Sequence, residues 1–460
     1  MNNKSITYIS IFFVIMLLAC CVKVYDISIN QYTTLSIHDF NPRMSQIEEE
    51  VVRGNFYDTN GIKLTENINN NRVYVYQNRY AHTVGYTGIG EYGLEKELNL
   101  HLLAPTYSLG EIAENFFFGE KFEGRDIYLT LDNRLQQVLE QQFVDKVGAA
   151  VVIEPSTGKI KAMYCAPTFN PNSVYEDWEY LISATDDTPL VNRATQGLYP
   201  PGSIFKVVPT IALMEKYPDT WTDISYTCLG KIEIDGNVIR CYNENWHGKV
   251  TIDEAFAVSC NTFFINLLNY ITPNELEEMT ENLLFNIPLP TDIYVASSST
   301  NIADADSFST ALSYMGQGQT LVTPFHMAML ASMVANEGIL MSPYIVDYIQ
   351  NTAGYQILKN LPSYYEKFLE LEQVLELQRL MESVVASGTA VSLNDVEGRV
   401  GVKTGTAQNE TSSPHSWVMG YIIEGSESLA FAIIVENQEG VSLDIAESLL
   451  HQFLANNRNY

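Results

Sequence analysis

Positive charge is scarce in this sequence. Its 460 residues hold 26 Lys and Arg against 55 Asp and Glu, a formal net charge of −29. That balance excludes general binding to nucleic acid or to an anionic bilayer surface, both of which recruit basic residues. Low-complexity and collagen-like stretches are lacking too, and apolar content is ordinary for a globular chain, which excludes wholesale disorder. The length allows roughly two to three domains and a full catalytic core. Long apolar runs are nearly missing. The exception is Ile6 to Val22, which is uncharged and rich in Ile, Phe, Leu and Met. It lies at the short end of what spans a bilayer. Lys4 precedes it, and Lys23 and Asp26 follow, so the charge asymmetry that orients a span is weak. An uncleaved signal anchor is the preferred reading. A cleaved signal peptide and a lipoprotein signal ending Leu17-Leu18-Ala19-Cys20 are the alternatives, although no small-x-small cleavage pattern stands out and Leu18 is a mediocre lipobox residue. No second run of this kind follows, so the rest of the chain is expected on the far side of the membrane.

Residues 26 to about 145 are irregular, with short strand-like runs such as Arg72-Val73-Tyr74-Val75-Tyr76 and Gly-rich turns. Asp126 to Asp132 reads as a strand and Asn133 to Val144 as the helix after it. No catalytic constellation is visible there. From Gly148 the pattern changes. Ala149 to Ile153 is an apolar strand, Glu154 to Gly158 a turn, and Lys159 to Tyr164 the returning strand. A mainly helical stretch runs to about residue 390, including a helix started by Thr323-Pro324 and ended by Gly338. Arg399 to Thr404, Ser416 to Ile423 and Leu429 to Val435 are three further strands, and Asp444 to Asn456 is a closing amphipathic helix. Strands at both ends of a helical insert predict one α+β domain whose sheet takes strands from both termini.

Three short motifs carry chemistry. In Pro201-Gly202-Ser203-Ile204-Phe205-Lys206, Gly202 permits a tight turn and Ser203 starts a helix. Residues three apart share a helix face, so the Ser203 hydroxyl and Lys206 amine can meet, as an activated nucleophile requires. Pro209 predicts a kink just beyond. Ser156-Thr157-Gly158-Lys159 repeats the Ser-x-x-Lys spacing on a turn, where the side chains need not converge, and reads as structural. Ser259-Cys260-Asn261 follows an amphipathic run. As a lone tripeptide it is almost noise, and its position and order single it out. Val402-Lys403-Thr404-Gly405-Thr406-Ala407 contains the only Lys-Thr-Gly of the chain. A cationic Lys and two Thr hydroxyls at a strand end suit a substrate carboxylate, although a plain strand end is the bland alternative.

Ser-x-x-Lys, Ser-x-Asn and Lys-Thr-Gly in this order are specific together. On them the sequence resembles the class B penicillin-binding proteins, over nearly its whole length. Arg53-Gly54-Asn55-Phe56-Tyr57-Asp58-Thr59-Asn60-Gly61 is similar to the family's pedestal signature. Gly93-Leu94-Glu95, Leu129-Thr130-Leu131-Asp132, Gly316-Gln317-Gly318, Ser387-Gly388-Thr389-Ala390 and His415-Ser416-Trp417 match further markers. The resemblance implies a signal anchor over 1–25, a pedestal domain over 26–145 and a transpeptidase domain over 146–460, an antiparallel sheet flanked by helices with a helical insert. No glycosyltransferase domain is found. It implies that Ser203 forms an acyl-enzyme with a D-Ala-D-Ala stem peptide, that Lys206 takes its proton, and that Ser259 and Asn261 relay the proton and hold the stem. Lys403, Thr404 and Thr406 would bind the terminal carboxylate beside Gly405, and the N–H groups of Ser203 and Thr406 would form the oxyanion hole. No cofactor is needed for that chemistry. β-Lactams would acylate the same serine, and a SEDS-type glycosyltransferase would be the membrane partner. A β-lactamase, a D,D-carboxypeptidase and a non-catalytic scaffold are the rival functions. No water-activating group for fast deacylation is identifiable, and a β-lactam sensor would carry several transmembrane helices.

Cysteine is sparse, with six in the chain. Cys20 and Cys21 lie in the anchor and Cys165 stands alone. The other three share a window with a histidine, as Cys228-x12-Cys241-x5-His247-x12-Cys260. Three thiolates and an imidazole make a closed tetrahedral set suited to structural zinc, and some members of the resembled family carry zinc in this segment. A Cys228–Cys241 disulfide, with Cys260 a buried thiol and His247 on the surface, is the alternative.

Overall fold

The computed structural model describes residues 3–29, 47–69, 71–105, 117–119, 121–185, 187–408 and 413–458. Five strands form the central antiparallel sheet: β1 (Gly148–Glu154), β2 (Lys159–Ala166), β3 (Arg399–Ala407), β4 (His415–Glu424) and β5 (Glu427–Val435). Their order is β3-β4-β5-β1-β2. The turn at Glu154 to Gly158 closes the β1–β2 hairpin, and β5 pairs with β1 in the register Ile433 to Ala150. Strands more than 200 residues apart in the chain are therefore neighbours, which is the α+β arrangement expected from the sequence. Both β1 and β5 are buried along almost their whole length, as near-continuous apolar runs require when helices cover a sheet.

Helix α1 (Asn3–Ile29) contains the apolar run and is, among the described residues, the one helix long and apolar enough to cross a membrane. Helix α2 (Asn133–Gln142) is capped by the Asp132 side chain and packs on β2. It also meets the closing helix α8 (Val441–Arg458), which lies against β4 and β5. Helix α6 (Pro324–Ala335) packs on β1, β4 and β5; it is buried nearly all round, which fits a sequence that is apolar except for His326 and Ser332. The Thr323 side chain accepts from His326 N at its start, with Pro324 in the first turn. Helix α7 (Leu371–Ser387) packs on β3.

A smaller four-stranded sheet has the order Gln356–Lys359, Val346–Gln350, Asp126–Leu129, Phe56–Tyr57. Its hairpin from residues 346–359 comes from the C-terminal half of the chain and pairs antiparallel with Asp126–Leu129. Long-range pairing ties this sheet to the rest of the structure. The Arg53-Gly54-Asn55 signature has a physical role here. Arg53 Nε and Arg72 Nε clamp the fully buried Glu95 carboxylate at 2.6 and 2.8 Å. Gly54 is needed because a Cβ there would lie 1.8 Å from Arg125 O.

Candidate active site

Two segments meet β3, which among the described residues pairs only with β4. The turn that bears Ser203 comes first. Gly202–Lys206 is a 3-10 helix that passes into helix α3 (Val207–Lys216). The helix changes type between Lys206 and Val207, two residues before Pro209. Proline then falls in the first α-turn, where its missing N–H costs no intrahelical bond. The turn is pinned from three sides. Gly202 N donates to Gly316 O at 2.8 Å, and Trp417 Nε1 donates to Pro200 O at 3.1 Å. A Cβ on Gly316 would sit 2.0 Å from Gly202 O, and one on Gly202, at φ +56, would sit 2.8 Å from Thr406 O. Gly405 lets β3 lie directly on this turn, since a Cβ there would reach Pro201 O at 3.0 Å. The Gly-Gln-Gly and His-Ser-Trp stretches are noticeable in sequence, but their pinning contacts are not.

The second segment is the loop between helices α4 (Ile252–Ala257) and α5 (Asn261–Asn266). Thr251 and Glu254 form a capping box that starts α4. Ser259 follows α4 in the left-handed region at φ 58, a strained conformation for a residue with a side chain, held because Cys260 N returns to Ala255 O at 2.8 Å. Asn261 Nδ2 donates to Arg240 O at 3.0 Å, which leaves its carbonyl oxygen facing Lys206.

The two lysines are fully buried and share one hydroxyl. Lys206 Nζ donates to Ser259 O at 2.7 Å and to Asn261 Oδ1 at 2.7 Å, and lies 3.1 Å from Ser259 Oγ. Lys403 Nζ lies 3.0 Å from Ser259 Oγ and 3.1 Å from Thr404 O. Among the hydrogen bonds of the described residues, none joins Lys206 to the Ser203 hydroxyl, so Ser259 is the hydroxyl the amine faces here. Through the shared oxygen the two amines lie no more than about 6 Å apart. Two charges at that distance repel by about 3 kcal/mol at an effective dielectric of about 20. Burial lowers the Lys206 amine to about 7. Burial, then the charge of Lys206, holds Lys403 well below the usual lysine range. A neutral amine at physiological pH is therefore available as a base.

Thr404 and Thr406 are half-buried on alternate positions of β3, so their side chains leave the same face. The Thr404 hydroxyl is hydrogen-bonded to that of Thr389, a contact that no local sequence pattern announces. In the second Ser-x-x-Lys, Lys159 pairs with Asp347 at 3.3 Å.

The four candidate metal ligands also meet. Cys228 Sγ is 3.7 Å from Cys241 Sγ and 3.4 Å from His247 Nδ1, and Cys241 Sγ is 3.9 Å from Cys260 Sγ. All four ligand atoms lie within 4.8 Å of one another. The three cysteines carry free thiols, so the alternative disulfide is not formed. Cys260 stands between Ser259 and Asn261, which joins this cluster to the loop that faces Lys206 and Lys403.

Residues 148–455 match the family model described as the penicillin binding protein transpeptidase domain. The chain is 29% identical over 396 residues to a peptidoglycan D,D-transpeptidase PbpA of Mycolicibacterium smegmatis, covering 80% of this chain and 79% of that one. It is 27% identical over 429 residues to a peptidoglycan D,D-transpeptidase MrdA of Acinetobacter baumannii, covering 80% and 63%. Among solved structures it is similar to penicillin-binding protein A from M. tuberculosis as an imipenem acyl-enzyme complex. There the TM-score is 0.81 at 26% identity, over 88% of this chain and 99% of that one.

Proposed function

The chain belongs to the penicillin-binding protein transpeptidase family, as a class B member similar to penicillin-binding protein A, and from that premise we propose how its residues cross-link peptidoglycan. It is a peptidoglycan D,D-transpeptidase. Ser203 Oγ attacks the carbonyl carbon of the penultimate D-Ala and forms an ester with it. The proton of the hydroxyl passes to the neutral Lys206 amine. The backbone N–H groups of Ser203 and Thr406 receive the oxyanion, and the terminal D-Ala leaves after taking a proton through Ser259. Asn261 holds the stem amide. An amine of a second stem then attacks the ester and releases Ser203. The free edge of β3 suits an extended stem, which would add to the sheet as a further strand. Lys403, Thr404, Gly405 and Thr406 line that edge and receive the terminal carboxylate.

The observation that carries this reading is the Lys206–Ser259–Lys403 chain of contacts inside a buried site. The test is labelling with a fluorescent penicillin. The wild type forms a covalent adduct and Ser203→Ala forms none; an adduct on Ser203→Ala overturns the assignment. Release of D-Ala that needs an acceptor amine marks the transpeptidase, and release into water alone marks a carboxypeptidase.

The apolar α1 helix supports a single-pass protein whose catalytic domain lies outside the membrane, with a pedestal over 26–145 and the transpeptidase domain over 146–460. Protease accessibility of residues after 26 in intact cells tests this. A SEDS-type glycosyltransferase is the partner proposed from the family resemblance, and co-purification through α1 tests it.

Cys228, Cys241, His247 and Cys260 would hold a structural zinc ion. Tetrahedral bonding places sulfurs about 3.8 Å apart and sulfur and nitrogen about 3.6 Å apart, close to the Cys228–Cys241, Cys241–Cys260 and Cys228–His247 distances. All coordination positions would be filled, so the ion would supply rigidity rather than chemistry. It would fix Cys260, and with it the directions of Ser259 and Asn261.

A further inference from the structure

Thr389 follows helix α7 in the segment Ser387-Gly388-Thr389-Ala390. Three contacts wedge this segment between the two walls of the site. Gly388 lies so close to α4 that a Cβ would come 2.3 Å from Ala257 O. Thr389 N donates to the same Ala257 carbonyl at 3.3 Å, two residues before Ser259. The Thr389 hydroxyl crosses to β3 and bonds to the Thr404 hydroxyl. One residue therefore ties the loop of Ser259 to the strand of Lys403. Thr389 is exposed and Thr404 half-buried, so the hydroxyl pair faces the open edge rather than the core.

Two bonded hydroxyls hold two protons. One lies between the oxygens, and the other is free to be donated outward. With an anion in front of β3, Thr404 donates to the anion, so Thr389 must donate to Thr404. A hydroxyl that accepts one hydrogen bond becomes a stronger donor in the next. We propose that Thr389 is a positioning residue of the donor site, which turns the Thr404 hydroxyl outward as a donor to the terminal carboxylate of the stem peptide and to the equivalent carboxylate of a β-lactam. The inference rests on the transpeptidase reading. It predicts that this enzyme selects ligands with a free carboxylate partly through a residue that never touches them.

The experiment compares acylation of the full chain by penicillin G and by its methyl ester, which lacks the anion. Thr389→Val keeps the shape and removes the hydroxyl. It slows acylation by the free acid about fivefold, the worth of one neutral hydrogen bond, through weaker binding rather than a slower acylation step. The ester reacts with the variant at the wild-type rate, which also reports an intact site. Thr389→Ser restores the free-acid rate. Thr389→Val combined with Thr404→Val loses no more than Thr404→Val alone, because Thr389 acts through Thr404. Equal slowing of acid and ester marks a merely structural role and overturns the proposal, as do additive effects in the double variant. A wild type that neither ligand acylates overturns the transpeptidase reading itself.

Discussion

Substituting Gly316 by Ala should disable the enzyme without unfolding it. Gly316 has φ +79, and a Cβ there would lie 2.0 Å from Gly202 O, next to Ser203, the proposed nucleophile. Ordinary contact needs about 3.4 Å, so the turn bearing Ser203 must retreat by more than about 1 Å, or the Gly316 strand of contacts must. Either movement breaks the 2.8 Å bond from Gly202 N to Gly316 O. The left-handed backbone costs alanine about 1–2 kcal/mol, and the collision about 1–3 kcal/mol more. Stability therefore falls by roughly 2–5 kcal/mol, within the range many single domains survive. The rate falls further, because a shift of about 1 Å at a reacting atom costs about 100-fold. Gly236→Ala is the matched control. Gly236 has nearly the same φ, +78, with nothing within 4 Å of its Cβ. It bears the backbone cost alone and keeps wild-type acylation. The assay is the second-order rate of acylation by a fluorescent penicillin, with thermal unfolding measured in parallel. If Gly316→Ala acylates within about threefold of Gly236→Ala, the pinned-turn reasoning is wrong.

The remaining expectations concern charge and metal. The acylation rate should rise with pH through about 7, because the proposed base is the neutral form of Lys206 and burial has lowered its pKa to that value; a flat profile between pH 6 and about 8.5 would exclude Lys206 from that role. On the zinc proposal, a strong chelator exposes Cys228, Cys241 and Cys260 to thiol reagents and slows acylation, and added zinc restores both; a fully active protein shown by mass spectrometry to be metal-free counts against the site. Glu95→Ala leaves Arg53 and Arg72 facing an empty buried position, and denaturant unfolding should register a loss of about 3–5 kcal/mol; a loss below about 1 kcal/mol refutes the clamp. His82 and His326 are fully buried and lowered to about 4, chiefly by burial. The unfolded chain takes up their protons below about pH 6.5 while the folded chain does not, so each subtracts about 1.4 kcal/mol of stability per pH unit between about 6.5 and 4. His326→Gln should flatten that acid limb, and an unchanged limb argues against it.

Much of this protein is legible without a structure, because the relevant signals are local. The apolar run of Ile6 to Val22, the two-residue alternation of Lys159 to Tyr164 and the apolar strand Leu429 to Val435 each declare their elements through periodicity or length. The order of the three motifs points to the chemistry in the same way, as a pattern along one line. Other features were decided only when distant segments packed together. Ser259 is held at φ 58 by a bond back to Ala255, and no residue type at that position announces it. The Ser-x-x-Lys spacing places Lys206 on the face of Ser203, yet the amine's bonds run to Ser259 and Asn261, more than 50 residues away. The hairpin from 346–359 joins a sheet begun near residue 56, and Thr389 finds Thr404 across the cleft. Helix and strand periods specify which side chains share a face within one element. Which face meets which is selected by close packing and by the need of every buried polar group for a partner, and those conditions act between segments whose separation along the chain carries no pattern.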